Sequence, residues 1–409
     1  MRRLRIFVVF SLSREVYERK QRTLIDTAEF RVLKGLMERG HEVHALMPQE
    51  NGIPRDFLYN GIIVHEFKNI SVPKANSLVS KSLSGLVQYA QLLSFLLFSC
   101  KKFLETVKSF GRPDLVYGYM PQASIAAYFV SRLYSIPNIT RLFGIFLYTS
   151  LTSPQDLFLH MEFLELLSFK LPCRYLVITN DGTRGDEMAK RLRVPDARVK
   201  YFMDGADFIN SATVDITALQ EKLGVSKETR LLLSVCRLTR WKRIDRIIEV
   251  MPEIVRRDEN VRLFLIGEGE ERRNLELLCD KLGISSFVVF LGTVTHNNIR
   301  EFMHVSDIFV SLYDLTNLTN STFEAMSCGL CIIALNTGAT SRVIKNGVNG
   351  VLLDPSDLKK LPDIVDRLLT DDEYRRRLGE NGRQYAIENF KTWEERVATE
   401  VDLIEKSFI

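Results

Sequence analysis

The sequence predicts an α/β protein built of two Rossmann-like domains, and three observations carry that expectation. At 409 residues the chain exceeds one ordinary domain. Short apolar runs alternate with helical patterns in both halves, as in parallel sheets covered on both faces. The composition is 46% hydrophobic and 26% charged. That supports a large core, and no low-complexity tract argues for disorder.

In the first half, Ile6–Phe10 reads as a strand and Thr27–Glu38 as a helix stopped by Gly40. Val43–Met47 is the next strand, and a long apolar helical pattern covers Leu78–Lys108. Strands follow at Asp114–Tyr119, Asn138–Leu142, Tyr175–Thr179 and Val199–Phe202, with a helix over Ala123–Tyr134. In the second half the runs Leu231–Val235, Val261–Ile266, Val288–Leu291, Ile308–Leu312 and Cys331–Leu335 are separated by helical patterns, beginning with Ile244–Val255. The expected domains are 1–205 and 206–387, followed by a C-terminal helix, 388–409, packing back toward the first; the whole segment Asp371–Ile409 reads as helical and charged, capping the second domain or crossing back to the first. No short internal repeat is present.

The formal net charge is +4, unevenly spread. Residues 1–205 hold 28 Lys and Arg against 19 Asp and Glu. Two readings stay open: a chance bias on solvated faces, or a basic first domain meeting an anionic partner such as a membrane surface or a phosphate-bearing acceptor. Nucleic acid is excluded as the expected partner, since there is no zinc-finger spacing, RNA-recognition signature or basic run interleaved with aromatics.

Six scattered cysteines argue for a reduced compartment, and Cys328-Gly329-Leu330-Cys331 reads as small buried residues between helix and strand rather than a redox pair. Met1–Phe10 imitates a leader, but its short apolar run and the charges at Arg14, Glu15 and Glu18 make it a first strand. Leu86–Phe98, broken by Gln88, Gln91 and Ser94, is too short to span a bilayer. The apolar segment Leu86–Val107 carries two readings. One is a helix packed on the first sheet. The other is a membrane-docking surface, with Leu92, Leu93, Phe95, Leu96, Leu97 and Phe98 flanked by Lys101 and Lys102.

The most informative stretch is Val235-Cys236-Arg237-Leu238-Thr239-Arg240-Trp241-Lys242-Arg243-Ile244-Asp245. It puts an arginine at a strand end and a lysine at the next helix start, so two cations share the sheet edge where open α/β folds bind ligands. A solvated basic face with Asp245 as partner is the plain alternative. After the strand Ile308–Leu312, the loop from Asn317 leads into a helix whose first amides suit an anion. Glu324 lies one turn in, where a carboxylate accepts from sugar hydroxyls. By itself Ser321-Thr322-Phe323-Glu324 reads as a capping box.

Arg237 and Lys242, Gly267-Glu268-Gly269, Phe290-Leu291-Gly292, the Glu324 helix and Asn346-Gly347-Val348-Asn349-Gly350 with Asp354 together resemble, in order and spacing, the family-4 retaining glycosyltransferases of GT-B fold. Arg39-Gly40-His41-Glu42-Val43 matches the same family's first helix-to-strand turn. The resemblance is strongest over residues 225–395. It implies two Rossmann-like domains with an active site in the cleft between them. It implies a nucleotide-diphosphate sugar as donor, bound by the second domain, and a saccharide or lipid-linked acceptor on the first. Arg237 and Lys242 would hold the diphosphate and stabilise it as it leaves. Glu324 would grip the ribose, the amides of Ser321 and Thr322 would meet the diphosphate, and Gly267, Thr293, Val294 and Asn320 would complete the donor site. The chemistry implied needs no cofactor and no metal.

The pattern departs from the family at three places. The first glutamate of its pair belongs eight residues before Glu324, where this chain has Thr316; Asn317 and Asn320 are candidate substitutes. The Gly-Gly expected after the first strand falls at Thr23-Leu24. The interdomain turn reads Asp204-Gly205-Ala206-Asp207, which keeps the turn chemistry. Arg141 and Gly144, at a strand end, are the acceptor-side candidates, although a structural salt bridge explains Arg141 equally well. His160 is the nearest histidine to the place where relatives carry one. His41-Glu42-Val43-His44 is not a zinc motif, because its histidines leave a strand on opposite sides.

The expected function is therefore glycosyl transfer with retention, in cell-surface polysaccharide or glycolipid assembly, by a cytoplasmic protein at the inner face of a membrane. A non-catalytic scaffold, suggested by Thr316, and a nucleotide-sugar epimerase on the same fold are the rivals.

Overall fold

A computed structural model describes residues 2–13, 27–49, 52–69, 81–147, 159–208, 215–223, 225–315 and 317–408. The chain folds as two units, residues 1–203 with 397–409, and residues 204–396. Helix Trp393–Lys406 starts in the second unit and continues into the first. The sequence reading puts the division at 205/206 and the return at 388; these units divide at 203/204 and 396/397.

The first unit is an eight-stranded sheet of β1 (Arg5–Phe10), β2 (Glu42–Gln49), β3 (Asp56–Tyr59), β4 (Ile62–Lys68), β5 (Leu115–Tyr119), β6 (Asn138–Leu142), β7 (Tyr175–Thr179) and β8 (Val199–Phe202). The spatial order is β3-β4-β2-β1-β5-β6-β7-β8. All pairings are parallel except β3 with β4. That hairpin was not expected, though Asn60 and Gly61, both at positive φ, are the residues a tight primed turn requires. Thr27 caps the helix Ala28–Glu38 instead of belonging to it: its hydroxyl accepts from Phe30 N at 3.4 Å.

The second unit has six parallel strands, β9 (Arg230–Val235), β10 (Val261–Ile266), β11 (Val288–Gly292), β12 (Ile308–Ser311), β13 (Cys331–Leu335) and β14 (Val351–Leu353). They run in the order β11-β10-β9-β12-β13-β14. The chain winds outward from β9 in one direction and returns to β12 on the other side. The C-terminal ends of β9 and β12 therefore flank a topological switch point. Helix Asp245–Arg257 buries Ile247, Ile248, Met251, Ile254 and Val255, a helical period laid on the sheet.

Two charged clusters sit inside the first unit. Arg141, 2% exposed, donates to Glu400 at 2.8 Å and to Thr179 Oγ1 at 3.1 Å, while the Tyr117 hydroxyl donates to the same carboxylate. Glu165, also 2% exposed, accepts from the amides of Phe146 at 2.9 Å and Leu147 at 2.8 Å. Burial lifts its carboxyl to about 7, against the pull of those amide bonds. The folded state thus holds a proton that the unfolded chain has lost, so stability falls as pH rises from about 4.5 to about 7. Glu165→Gln accepts the same amide bonds without charge. It is expected to raise Tm at pH 8 by several degrees, on the order of 2 kcal/mol, and to change little at pH 5. Thermal unfolding at the two pH values checks this.

Candidate active site

The site grows from the C-terminal edge of the second sheet. After β9 the backbone of Cys236–Leu238 runs on beside the end of β10. Cys236 N donates to Ile266 O at 3.0 Å, Leu238 N to Glu268 O at 3.0 Å and Glu271 N to Leu238 O at 3.0 Å. Glycines make this approach possible. A Cβ on Gly267, at φ +134°, would lie 1.8 Å from Cys236 O, and one on Gly269 would lie 2.1 Å from Leu238 O. The Gly267-x-Gly269 pattern is therefore a backbone seat for the loop bearing Arg237. Gly267→Ala is expected to cost about 3 kcal/mol or more. Gly283→Ala, with nothing within 4 Å at φ +69°, should cost about 1 kcal/mol. Urea unfolding of the two variants compares them.

The two cations differ in setting. Arg237 is exposed, with its guanidinium 5.6 Å from the Trp241 ring. Lys242 is only 5% exposed and its ammonium sits 4.1 Å from the centre of the Tyr313 ring, a cation–π contact in a desolvated place. Asp245 partners neither of them; it takes Arg243 at 2.8 Å. Asp314 pairs with Arg246 at 2.5 Å and with Arg243 at 3.4 Å. The basic face with Asp245 as its partner is thus built by Arg243. Tyr313 was missed in the sequence, where it reads as one more apolar residue at a strand end.

The helix Asn320–Ser327 begins beside β9. Its cap is Thr319, whose hydroxyl accepts from Thr322 N at 3.4 Å. The capping-box reading of Ser321 and Glu324 is overturned, since the Ser321 hydroxyl instead donates to Val235 O at 2.9 Å. That bond ties the helix start to the end of β9, two residues before Arg237. Two further expectations change. The Thr322 amide faces the cap oxygen, and the Thr322 hydroxyl is bound to Asn317 O at 2.8 Å, so Thr322 holds the loop. The helix-start amides ahead of it belong to Asn320 and Ser321. Nor is Asn317 a substitute ligand. It is 1% exposed, accepts from Ser311 Oγ and Tyr313 N, and donates to Tyr313 O and Thr337 Oγ1. Glu324 is 4% exposed, in the second turn of the helix. Thr316 lies outside the described residues, as do Thr23 and Leu24.

Gly292, at φ +69°, ends β11, and the half-buried Thr293 and Val294 lead into helix His296–Val305. Cys328 and Cys331 have free thiols that burial pushes up to about 12, the reverse of a reactive pair. Among the described residues no group of three His, Cys, Asp or Glu side chains is placed to hold a metal ion.

In the first unit the acceptor-side expectation is corrected. Arg141 is consumed by the buried pair with Glu400, the structural reading the sequence left open. Gly144, at φ +76°, admits Asp181, whose carboxylate would be 2.2 Å from a Cβ there. The His160 side chain lies outside the described residues. His41 bonds Glu405 at 3.0 Å and His44 bonds His65 at 2.9 Å, so the two histidines serve separate networks.

The two sheets, parallel but for the β3–β4 edge, place the chain among proteins built of two Rossmann-like units. Over 99% of both chains it superposes on sucrose-phosphate synthase from Thermosynechococcus elongatus with a TM-score of 0.76 at 15% identity, a likeness of fold. Residues 215–385 match the family described as Glycosyl transferases group 1. An uncharacterised glycosyltransferase of Methanocaldococcus jannaschii is 29% identical over 237 residues, 56% of this chain and 59% of the relative. The GDP-mannose-dependent alpha-(1-6)-phosphatidylinositol monomannoside mannosyltransferase of Mycolicibacterium smegmatis is 25% identical over 219 residues, 51% of this chain and 57% of the relative. The chain thus spans between half and two thirds of the length of these curated relatives.

Proposed function

We propose that this protein moves a sugar from a nucleotide-diphosphate donor to an acceptor hydroxyl, with retention of configuration. The observation that carries the proposal is the meeting, at one topological switch point, of Arg237, the buried Lys242 and the start of helix Asn320–Ser327. In this reading the two cations and the Asn320 and Ser321 amides hold the diphosphate, and Glu324 accepts from the ribose. Thr293 and Val294 frame the base, and Gly267 seats the loop. As the bond between sugar and phosphate breaks, charge grows on the departing diphosphate. A preformed ammonium in a desolvated site stabilises that charge without reorganising. The leaving phosphate takes the acceptor proton, so the chemistry asks for no protein nucleophile and assigns charge neutralisation to Arg237 and Lys242 rather than to a metal or cofactor.

The acceptor proposed is a saccharide or lipid-linked saccharide of cell-surface polysaccharide or glycolipid assembly, met at the cytoplasmic face of an anionic membrane. The Mycolicibacterium relative, named for a GDP-mannose donor and a phosphatidylinositol mannoside, supports that class of pair. The test is release of nucleoside diphosphate from a panel of UDP-, GDP- and ADP-sugars, with and without saccharide and lipid-linked acceptors. Release that depends on one donor and one acceptor supports transfer. Tight nucleotide binding with no release under any pairing supports the scaffold, and interconversion of the sugar without acceptor supports an epimerase.

A further inference from the structure

The long helix Lys81–Phe110 divides its apolar residues between two faces. Leu92, Phe95 and Phe103 are buried against the first unit's core. Leu93 and Leu97, one turn apart, are 60% and 70% exposed. On helix Pro121–Tyr134, Phe129 and Leu133 are likewise 53% and 69% exposed. Leu93, Leu97 and Phe129 line one open groove of about 520 Å³ with Lys101, Glu105 and Lys108, and Leu133 follows Phe129 one turn along the same helix face. Exposed apolar side chains of this size, grouped on neighbouring helices, mark a surface that meets something.

The rim identifies the occupant. Lys101 and Lys108 line the groove with one acid, Glu105, and the exposed Arg132 adjoins Leu133 on the neighbouring helix. Among the described residues none of the three cations is in an ion pair, whereas neighbouring Lys102 is committed to Asp56 at 2.6 Å. An apolar stripe with long cations along its edge is the pattern that inserts into the boundary of an anionic bilayer, with lysine stems lying on the acyl region and ammonium groups at the phosphates. From Leu93 to Lys108 the stripe runs about 22 Å at 1.5 Å per residue, long enough to lie along a membrane. No described helix is long and apolar enough to cross one.

We infer that the face formed by Leu93, Leu97, Phe129 and Leu133, rimmed by Lys101, Lys108 and Arg132, docks this protein onto an anionic lipid surface. This gives a place on the chain to the membrane contact proposed above and stands apart from the transfer chemistry. The experiment is co-sedimentation of the full chain, without nucleotide, with vesicles of phosphatidylcholine alone and of phosphatidylcholine mixed equally with phosphatidylglycerol. Binding is expected to the mixed vesicles only, and to weaken as salt rises. Leu93→Gln/Leu97→Gln and Lys101→Glu/Lys108→Glu are each expected to lower the partition coefficient about tenfold or more. Both pairs are exposed, so the fold should persist, and unchanged Tm and donor affinity in each variant separate lost docking from a lost active site. No binding to either vesicle, equal binding to both, or binding indifferent to the leucine pair would overturn the inference. So would a dimer in solution that Leu93→Gln/Leu97→Gln dissolves, which would give the patch to a second copy of the chain.

Discussion

Replacing Lys242 by methionine is expected to lower kcat/KM by about 10²- to 10³-fold while leaving the protein folded. Methionine keeps most of the aliphatic volume over the Tyr313 ring and removes the ammonium, its charge and its N–H donors together. A buried ammonium is costly to desolvate, so its loss should leave Tm unchanged or slightly raised. Activity and stability therefore move in different directions, which a purely structural lysine would not allow. If charge neutralisation at the leaving diphosphate is the role, the fall should lie in kcat as well as in donor affinity. Arg237→Met should act in the same sense with a smaller effect, because Arg237 is exposed and its field is screened by water. Steady-state kinetics with the donor found in the release assay, beside thermal unfolding, test both.

The second large effect is structural. Arg141→Met leaves Glu400 buried at 0% exposure without its guanidinium partner, and removing one partner of such a pair costs about 3–5 kcal/mol. The loss should appear as a fall in Tm of roughly 10 °C. The C-terminal segment carrying Glu400 should also become sensitive to proteolysis. Adding Glu400→Leu to Arg141→Met should restore most of the stability, because an apolar pair carries no desolvation penalty. An arginine serving an acceptor would behave otherwise: Arg141→Met would keep its Tm, raise the acceptor KM, and gain nothing from the second substitution.

Much of this molecule was legible because its strands are buried on both faces. Val261–Ile266, Cys331–Leu335 and Tyr175–Thr179 have the bounds that apolar runs between turn residues indicate. The hairpin of β3 and β4 escaped because Asp56–Tyr59 is half exposed and carries little apolar contrast, despite the Asn60-Gly61 turn between the strands. At the site, the cations and their sheet edge could be read, since a strand end followed by a helix start is a local pattern. What surrounds them could not. The burial of Lys242 depends on Tyr313, and the saturation of Asn317 on Ser311, Tyr313 and Thr337, contacts made by the fold. The pairing of Arg141 with Glu400 joins residues 259 positions apart, which no local spacing reveals. The shift of the helix cap from Ser321 to Thr319 has the same origin: the Ser321 hydroxyl is drawn to Val235 O on a neighbouring strand, and Thr319 takes the cap.

The central claim is that the switch point between β9 and β12 holds a nucleoside diphosphate. Its most direct test is thermal unfolding of the wild type and Glu324→Gln with UDP, GDP, ADP and their sugar conjugates. A ligand that binds only the folded state at a hundred times its Kd adds about 2.7 kcal/mol, a rise of several degrees. The account predicts such a rise with one nucleotide, a smaller one in Glu324→Gln, and the same Tm for both proteins without ligand. No rise with any nucleotide, or a Glu324→Gln protein that unfolds earlier alone yet gains as much from the nucleotide as the wild type, would contradict it.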